Sequence, residues 1–570
     1  MKITEKINNI KNVNYFYIVL LSFIAFSRFL FEGPTAYEWP AIDMVPFFER
    51  YFDSEFAPND FYTNSISDDP SPRYVFGFII LIITKLLNTS WYKTLYAFKL
   101  IFVIFLPILY YLSIYSISLK YIEIKEKENT NKIKFLAFVS VFLILLPIPK
   151  IPDIPHIFSV AWWPPFFNQA AAQTLATFLS FLSIIIKEFD LRIYFISSNL
   201  ISIFLFGLAT LVHPAVGLFS IVFYLVSDLK NLTSGKNSNI KYHALNFSVA
   251  FLIPSLLLKS LFKSEISLPT KDFINIYVMN HSGHYYVSDL GSLTPYNWKL
   301  SFLIIIFMMI VPGIYFAFLR KKYLLSLSIA FLVSYVMALF LQYIFIEEFP
   351  SKIVATIGFT RYTAFGYWMI SILWIAMLSN VRCVNSMISR YVLRKLDPIK
   401  NLFFRLNYLI FFLVIFFIIG LSFIDSPRNS LYNESKAMYD FIETTPEDSV
   451  FATYFGNYKM DLPFVSRRSL FIGNGFPFNE KHFYEFQDRN GLLYGSYEEF
   501  AKINGRNILE KYVNYFRNSD PKKFYEISKI YKLDFVIIES KYDSLFTSFK
   551  PIFEDSKVKI YRVSELSEIN

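Results

Sequence analysis

The chain has 570 residues with a mean hydropathy of +0.40, and 54% of them are hydrophobic and 20% aromatic, which excludes an ordinary soluble globular protein. The formal charge of +10 is concentrated in the apolar part, which indicates contact with anionic lipid, and we expect no nucleic-acid partner. The single cysteine, Cys383, excludes internal disulfides and CxxC metal or redox motifs.

Apolar runs long enough to cross a bilayer recur over the first three quarters of the chain. The first run, Tyr15–Phe31, is not followed by a small-residue cleavage site, so we predict a retained anchor. The predicted spans are Asn14–Phe31, Thr94–Leu119, Phe135–Leu146, Gln169–Ile186, Ile193–Leu211, Ala215–Val226, Ala244–Phe262, Leu300–Leu319, Tyr323–Ile346, Tyr362–Leu378 and Leu406–Ile424.

The predicted first outward loop, residues 32–73, is rich in acidic and aromatic side chains. Carboxylates among aromatic rings suit a cleft at the membrane surface, where one of them binds a divalent cation or takes a proton from an acceptor hydroxyl. The alternative is a solvated loop with two amphipathic helices lying on the bilayer. Its carboxylates are Glu32, Glu38, Asp43, Glu49, Asp53, Glu55, Asp60, Asp68 and Asp69.

The apolar run Tyr74–Leu87 is short for a span, and we predict an extra half-helix that is re-entrant or lies along the interface. With this assignment, alternate loops differ sharply in basic residues. One set is rich in Lys and Arg, and the other holds only Arg50, Arg73, Lys150, Lys263, Lys271, Lys352 and Arg361. Basic loops stay in the cytoplasm, so we predict a cytoplasmic N-terminus and an extracytoplasmic C-terminal domain.

Residues 426–570 have a mixed, charged composition and predict a soluble α/β domain that follows a membrane domain of residues 1–425. Short β-like runs are Val450–Phe455, Asp534–Ile538 and Val558–Val563, and helical stretches are Glu498–Phe516 and Lys522–Tyr531. The fold class is therefore an α-helical polytopic membrane protein, with about eleven spans and a half-helix, that carries a C-terminal extracytoplasmic α/β domain.

Four sequence motifs of the tail read SVFATYFGN, LPFVSRRSLFIGNG, YKLDFVIIESKY and PIFEDSKVKIYRV. With the short first span, the long acidic first loop and the many later spans, the chain resembles the GT-C superfamily. These are polyprenyl-phosphate-sugar-dependent glycosyltransferases and include bacterial mannosyl- and aminoarabinosyl-transferase relatives. Many of them carry an adjacent acidic pair early in the first loop, whereas Trp39-Pro40-Ala41-Ile42 separates Glu38 from Asp43 in this chain.

The resemblance implies an inverting transfer of a sugar from a polyprenyl-phosphate donor to an acceptor at the outer face of the inner or plasma membrane. Asp43 would be the catalytic base and Glu38 the next candidate, while cations or basic residues hold the lipid-linked phosphate. A divalent cation is the cofactor that such a site would admit, and the sequence does not assign its ligands.

Four further residues are candidates for binding the substrate. Arg361 and Arg73 suit a bidentate grip on a phosphate, and snorkelling to lipid headgroups is the alternative for both. His213, followed by Pro214, breaks an apolar stretch where a cavity often lies; the alternative is a tight hairpin with a locally hydrogen-bonded imidazole. His156 lies in a predicted outer loop rich in proline and tryptophan.

Two other functions remain open. A transporter or flippase of lipid-linked saccharides needs polar residues paired within spans, yet the spans hold few charges beyond Arg28, Lys85, Lys99 and Lys259. A non-catalytic membrane assembly protein would use the outer domain to bind a partner. The transferase hypothesis requires that residues 32–73 and 426–570 share one side of the bilayer.

Overall fold

The computed structural model describes residues 15–32, 44–67, 74–122, 127–145, 171–192, 196–233, 240–250, 252, 267–278, 286–289, 298–381, 416, 419, 435–453, 458–473, 476–477, 479–496 and 506–567. Helices predominate up to residue 381, and a small sheet flanked by helices follows from residue 435. We refer to the described residues up to 419 as the helical part and to those from 435 onward as the C-terminal domain.

The helical part is a succession of long apolar helices and shorter connecting ones. In chain order they are α1 (Tyr15–Glu32), α2 (Val45–Phe52), α3 (Phe61–Ser67), α4 (Tyr74–Leu86), α5 (Trp91–Tyr121), α6 (Lys127–Leu145), α7 (Ala172–Phe189), α8 (Ser198–Val212), α9 (Pro214–Ser227), α10 (Leu229–Thr233), α11 (Thr270–Phe273, continued by a π-helical turn Ile274–Val278), α12 (Trp298–Phe318), α13 (Lys322–Tyr343, continued by a π-helical turn Ile344–Glu348), α14 (Lys352–Ile357) and α15 (Gly366–Asn380). Residues 240–250 are also helical, and a 3₁₀ helix, Phe359–Phe365, joins α14 to α15.

Four helical stretches are long and apolar enough to cross a membrane by length and composition, namely Trp91–Tyr121, Ala172–Phe189, Lys322–Glu348 and Lys352–Asn380. Shorter apolar helices accompany them, including the consecutive pair α8 and α9. The predicted total of eleven crossings stays a prediction, because Ala244–Phe262 and Leu406–Ile424 fall largely outside the described residues.

Aromatic rings form much of the core of the helical part. The indole of Trp368 lies 4.0 Å from the ring of Tyr110 and 4.6 Å from that of Phe181, measured between centroids. Phe223 stacks on Phe365 at 5.1 Å. In lipid there is no hydrophobic driving force between helices, so close ring packing of this kind provides much of the contact energy, about 0.5–1.5 kcal/mol per pair beyond area burial. This explains why Phe and Tyr are so abundant.

The described connections gather at two ends of the helical part. At one end, which we call the docking end, residues 44–67, residues 267–278 and Lys352 contact the C-terminal domain. At the other, the far end, the ends of α5, α7 and α9 meet through Lys120, Glu188 and Asp228. This is the grouping that the distribution of basic residues predicts, whereas the side of the membrane on which each end lies stays a prediction.

The half-helix α4 begins and ends at the docking end. Near its start the ring of Tyr74 lies 4.5 Å from that of Phe47, and near its end the ammonium of Lys85 lies 4.7 Å from the ring of Tyr51. Both partners belong to α2, which has 8 residues and is about 12 Å long. The apolar core of a bilayer is about 30 Å thick, so the contacts of both ends of α4 with α2 support the predicted half-helix, while its failure to cross stays a prediction.

The C-terminal domain contains a five-stranded mixed sheet in the order β2-β1-β3-β5-β4. Strand β1 is parallel to β2 and β3, while β5 is antiparallel to β3 and β4. The strands are β1 (Val450–Thr453), β2 (Ser469–Leu470), β3 (Phe535–Glu539), β4 (Phe553–Glu554) and β5 (Val558–Arg562). The helices are α16 (Lys436–Glu443), α17 (Tyr458–Ser466), α18 (Phe483–Tyr494), α19 (Arg506–Arg517) and α20 (Pro521–Ser528).

The two faces of this sheet pack differently. Phe451 and Ile537 face a cluster that includes α16 and extends to Phe48 and Trp91 of the helical part. Residues of the opposite face, such as Val536, pack on α18 to α20. Strands buried on both faces are expected for the parallel part of a sheet, and the three predicted β-like runs are confirmed as β1, β3 and β5.

Candidate functional site

The structure describes two of the six predicted site residues, His213 and Arg361. The two catalytic candidates, Asp43 and Glu38, and the binding candidates Arg73 and His156 lie outside the described residues, so their roles stay predictions. The docking end nevertheless shows how the chain on either side of the first loop is held.

Helix α2 is fixed against α5 by a stacked pair and a hydrogen bond. The ring of Phe48 stacks on the indole of Trp91 at 5.0 Å, and Trp91 Nε1 donates to Glu49 Oε1 at 2.9 Å. Met44, which immediately follows Asp43 in the sequence, is 4% exposed and packs over Gly77. A side chain at Gly77 would have its Cβ 2.6 Å from Met44 Cε and 2.7 Å from Phe47 Cε1, so these two side chains would have to move to admit it.

The turn between α2 and α3 is held by Arg50. Its guanidinium donates from Nε to Phe56 O at 2.7 Å and from Nη2 to Asn64 Oδ1 at 2.8 Å. A further bond from Nη2 reaches Ala57 O at 3.3 Å. A planar guanidinium holds several acceptors in one fixed geometry, so the loop is pre-organised as a rigid unit. The loop does form two short helices, as the alternative interpretation expected, but it packs under the C-terminal domain.

Asp60 joins this loop to the C-terminal domain. Its side chain is 2% exposed; Oδ1 accepts from Thr63 N at 2.7 Å and Oδ2 accepts from Leu470 N of β2 at 2.9 Å. Burial raises the pKa of the Asp60 carboxyl, although the hydrogen bonds from Thr63 and Leu470 and the charge of Arg50 oppose the increase. The carboxylate therefore acts as a structural connector.

Neighbouring residues extend the same contact. Asn59 Nδ2 donates to Asp448 O at 2.7 Å, and its backbone N–H donates to Ser469 Oγ at 3.1 Å. Asp53 forms an ion pair with Arg467, which has a left-handed backbone conformation (φ 60°). Three of the loop's carboxylates, Glu49, Asp53 and Asp60, are thus occupied in holding the loop in place.

A second contact joins the C-terminal domain to the chain ahead of α12. Glu480 Oε2 accepts from Leu268 N at 2.6 Å and from Lys352 Nζ at 2.9 Å. Tyr484 donates its hydroxyl proton to Asp272 Oδ2 at 2.8 Å. The C-terminal domain therefore rests on three separate connections of the helical part, all at the docking end.

His213 forms the tip of the hairpin between α8 and α9. Its Nδ1 accepts a hydrogen bond from Val216 N at 3.4 Å, so the imidazole caps α9, whose first residue is Pro214. Val212 and Val216 on either side belong to the same buried cluster as Trp91. This geometry agrees with the tight hairpin and its locally bonded imidazole. Whether His213 also binds substrate stays a prediction.

Arg361 lies in the 3₁₀ helix between α14 and α15 and is half-buried. Its Nη1 donates to Ile357 O at 3.3 Å. Its neighbours Phe359 and Tyr362 both pack on Phe219 of α9, at 5.9 and 5.8 Å between centroids. The segment is therefore anchored to α9, and both interpretations of Arg361, phosphate binding and snorkelling, stay open.

A group of charged residues outside the predicted site occupies the far end. Lys120 Nζ lies 2.5 Å from Glu188 Oε1 and 2.6 Å from Asp228 Oδ1, while Asp228 Oδ2 lies 3.1 Å from His243 Nε2. Burial raises the pKa of Asp228, but the hydrogen bond from His243 and the charge of Lys120 outweigh it and lower the pKa to about 2. The sequence does hold a signal for this far-end ion cluster, because α5, α7 and α9 each carry a charged residue at or just after their last turn.

Within the described ranges, no three His, Cys, Asp or Glu side chains come together in a way that could hold a metal ion. The structure thus gives no geometry for the expected divalent cation, whose ligands stay unassigned.

No protein-family model matches the chain, and no curated protein matches it. Among solved structures, the chain is similar to the oligosaccharyltransferase of Archaeoglobus fulgidus in its apo form. The two are 11% identical, the match covers 92% of this chain and 69% of that chain, and the TM-score is 0.44. Both the identity and the TM-score are too low to establish a shared fold.

Proposed function

We propose that this protein is a GT-C-like glycosyltransferase that moves a sugar from a polyprenyl-phosphate donor to an acceptor at the outer face of the membrane. The observation that carries the proposal is the docking of the acidic first loop between the helical part and the C-terminal domain through Asp60 and Asn59. A transferase of this kind needs a carboxylate held rigidly at the membrane surface, where a lipid-linked donor and a polar acceptor meet.

In the proposed reaction, Asp43 takes the proton of the acceptor hydroxyl as its oxygen attacks the anomeric carbon of the donor. The bond from that carbon to the phosphate oxygen breaks, polyprenyl phosphate leaves, and the configuration inverts. Glu49, Asp53 and Asp60 are bound to Trp91, Arg467 and Leu470, which leaves the other carboxylates of the loop as candidates. Among these, the resemblance to GT-C enzymes implies Asp43. Met44 is buried, so the chain directly after Asp43 is anchored.

The test is sugar transfer by the full chain in phospholipid nanodiscs, with polyprenyl-phosphate sugars as donors. Asp43→Asn removes the proposed base and should lower the rate of transfer by about 10²–10⁴-fold. Glu55→Gln is the matched control, because Glu55 is an exposed carboxylate of the same loop, and this variant should keep the wild-type rate. If Asp43→Asn transfers sugar at the wild-type rate, Asp43 is not the catalytic base.

The far-end ion cluster favours a second candidate, a flippase of lipid-linked saccharides. Ionisable side chains buried among membrane helices often mark a transport pathway, and Lys120, Glu188 and Asp228 are buried where α5, α7 and α9 meet. Proteoliposomes that contain fluorescent polyprenyl-phosphate sugars separate the two functions. Flipping by the wild type that is lost in Asp228→Asn, without any sugar transfer, would replace the transferase proposal.

A further inference from the structure

A cleft of about 540 Å³ lies between the C-terminal domain and the π-helical turn after α11. This volume is within the range of roughly 300–1,000 Å³ that is usual for small-molecule sites. One wall is the face of α18 that carries Gln487, Asn490 and Gly491, and Asn275 contributes from the helical part. The walls are fixed relative to each other because Phe483, at the start of α18, packs on Phe273 at 5.6 Å.

Three amide side chains line this cleft, those of Asn275, Gln487 and Asn490. Within the described part of the chain, none of the three forms a hydrogen bond to another residue. Asn490 as a residue is only 7% exposed, and it lines the cleft. Each amide offers both a donor and an acceptor to a ligand.

Two tyrosine rings flank the amides. Tyr484 and Tyr515 are 50% and 38% exposed, although large aromatic side chains are usually covered. Each ring is held in place, since the Tyr484 hydroxyl donates to Asp272 and the ammonium of Lys523 lies 4.1 Å from the centroid of Tyr515. An exposed, immobilised ring presents a flat apolar surface at little cost in conformational entropy.

We propose that this cleft binds a saccharide. Sugar hydroxyls both donate and accept, which matches the planar amides of Asn275, Gln487 and Asn490, and the C–H face of a pyranose packs on an aromatic ring such as that of Tyr515. The charged groups lining the cleft, Asp488 and Lys523, are one anion and one cation, so it offers no net charge and selects a neutral ligand over a phosphate or a polyamine. The site is separate from the proposed catalytic loop and does not depend on Asp43.

Gly491 provides a direct way to block the cleft. It lies inside α18, and a Cβ built at this position has no atom within 4 Å, so a side chain there extends into open space. Gly491→Trp therefore projects an indole from the wall of the cleft, starting from a Cβ that meets no atom. Gly491→Ala is the matched control, because alanine favours the helix and adds only a methyl group.

The experiment is saturation-transfer difference NMR on the full chain in phospholipid nanodiscs, which avoids sugar-based detergents. The probes are the methyl glycosides of glucose, galactose, mannose, N-acetylglucosamine and N-acetylgalactosamine. We expect saturation of the ring protons of at least one glycoside. Gly491→Trp and Tyr515→Ala should weaken its binding at least tenfold, and Gly491→Ala should keep wild-type affinity.

Tyr542→Ala controls for the loss of an exposed ring. Tyr542 lies on the same domain outside the cleft, is 36% exposed, and also has a cation over its ring, Arg517 at 3.9 Å. Its replacement should leave binding unchanged. The proposal is wrong if no glycoside receives saturation from the wild type, or if Tyr542→Ala weakens binding as much as Gly491→Trp does. Because no donor lipid is used, this result is independent of the transfer assay.

Discussion

Asp60 lies in the acidic loop that the sequence marks as a candidate site, but its contacts show that it stabilises the fold. It is one of nine carboxylates in the first loop, and nothing in its local sequence distinguishes it from Asp43. What distinguishes Asp60 is its hydrogen bond with Leu470, 410 residues away, whose backbone N–H donates to the Asp60 carboxylate. The sequence marks the loop as acidic, but a contact of that separation has no local pattern and could not be predicted.

Replacement of Asp60 tests this structural role. In Asp60→Asn one side-chain oxygen remains as an acceptor, while the NH₂ group faces one of the two N–H donors, Thr63 or Leu470. We expect a loss of about 1–3 kcal/mol in the free energy of unfolding, measured as a lower midpoint of thermal unfolding in one detergent. Glu55→Gln, in the same loop but exposed, should unfold at the wild-type temperature.

The far-end ion cluster gives a prediction for pH. The pKa of Asp228 is about 2 in the folded protein against 3.8 for an ordinary aspartate. A lowered pKa means that the ionised carboxylate stabilises the fold above pH 4, and that this contribution is lost as the pH falls towards 2. The difference in stability between wild type and Asp228→Asn should therefore be about 2 kcal/mol near neutral pH and shrink steadily below pH 4. If the difference in stability between wild type and Asp228→Asn does not change with pH, the pKa of Asp228 is not lowered.

At the level of elements, the hairpin of α8 and α9 depends on a close approach at Gly217. A Cβ at this position would overlap the backbone of Thr210 on the preceding helix. Backbone atoms cannot move aside as a flexible side chain does. Small residues are accordingly common where membrane helices touch.

Gly217→Ala should therefore destabilise the protein by about 1–3 kcal/mol despite the higher helix propensity of alanine. Gly491→Ala is the control, because the same substitution there meets no atom within 4 Å and should be neutral or stabilising by up to about 1 kcal/mol. The midpoints of thermal unfolding of both variants, measured in one detergent, compare these two effects on stability. Equal midpoints would show that the hairpin relaxes without cost.

Elements were predicted well where a run of apolar residues marks them. The long apolar runs gave the long helices, and the short β-like runs in the C-terminal domain gave β1, β3 and β5. Strands β2 and β4 have 2 residues each, too few to show any alternation. They exist because of pairing with β1 and β5, which is a tertiary effect that propensity does not include.

At the scale of the whole molecule, charge and structure address different parts of the topology. Contacts place the first loop, the chain before α12 and the C-terminal domain at the docking end, and place Lys120, Asp228 and Tyr323 at the far end. Charge alone assigns the docking end to the outside, since the loops there carry few basic residues. The prediction is sound only if α4 does not cross, and its contacts with Phe47 and Tyr51 support this.

Cysteine labelling tests two predictions together, that the docking end lies outside the cell and that α4 does not cross the bilayer. With the native cysteine removed as Cys383→Ser, single cysteines are placed at the exposed positions Glu55, Lys93, Lys529 and Lys322. We expect a membrane-impermeant maleimide to label intact cells at the first three, which lie in the first loop, at the start of α5 and in the C-terminal domain. Lys322→Cys should react only after the membrane is opened.

Each outcome has a distinct structural meaning. Glu55 and Lys93 lie on either side of α4, so labelling of one without the other would mean that α4 crosses the bilayer. Labelling of Lys322→Cys in intact cells, with the other three protected, would invert the whole topology and place the acidic loop in the cytoplasm. The lipid-linked sugar would then have to be used at the cytoplasmic face. The docked loop and domain would keep their geometry, because the contacts of Asp60 and Glu480 hold them together on whichever side they lie.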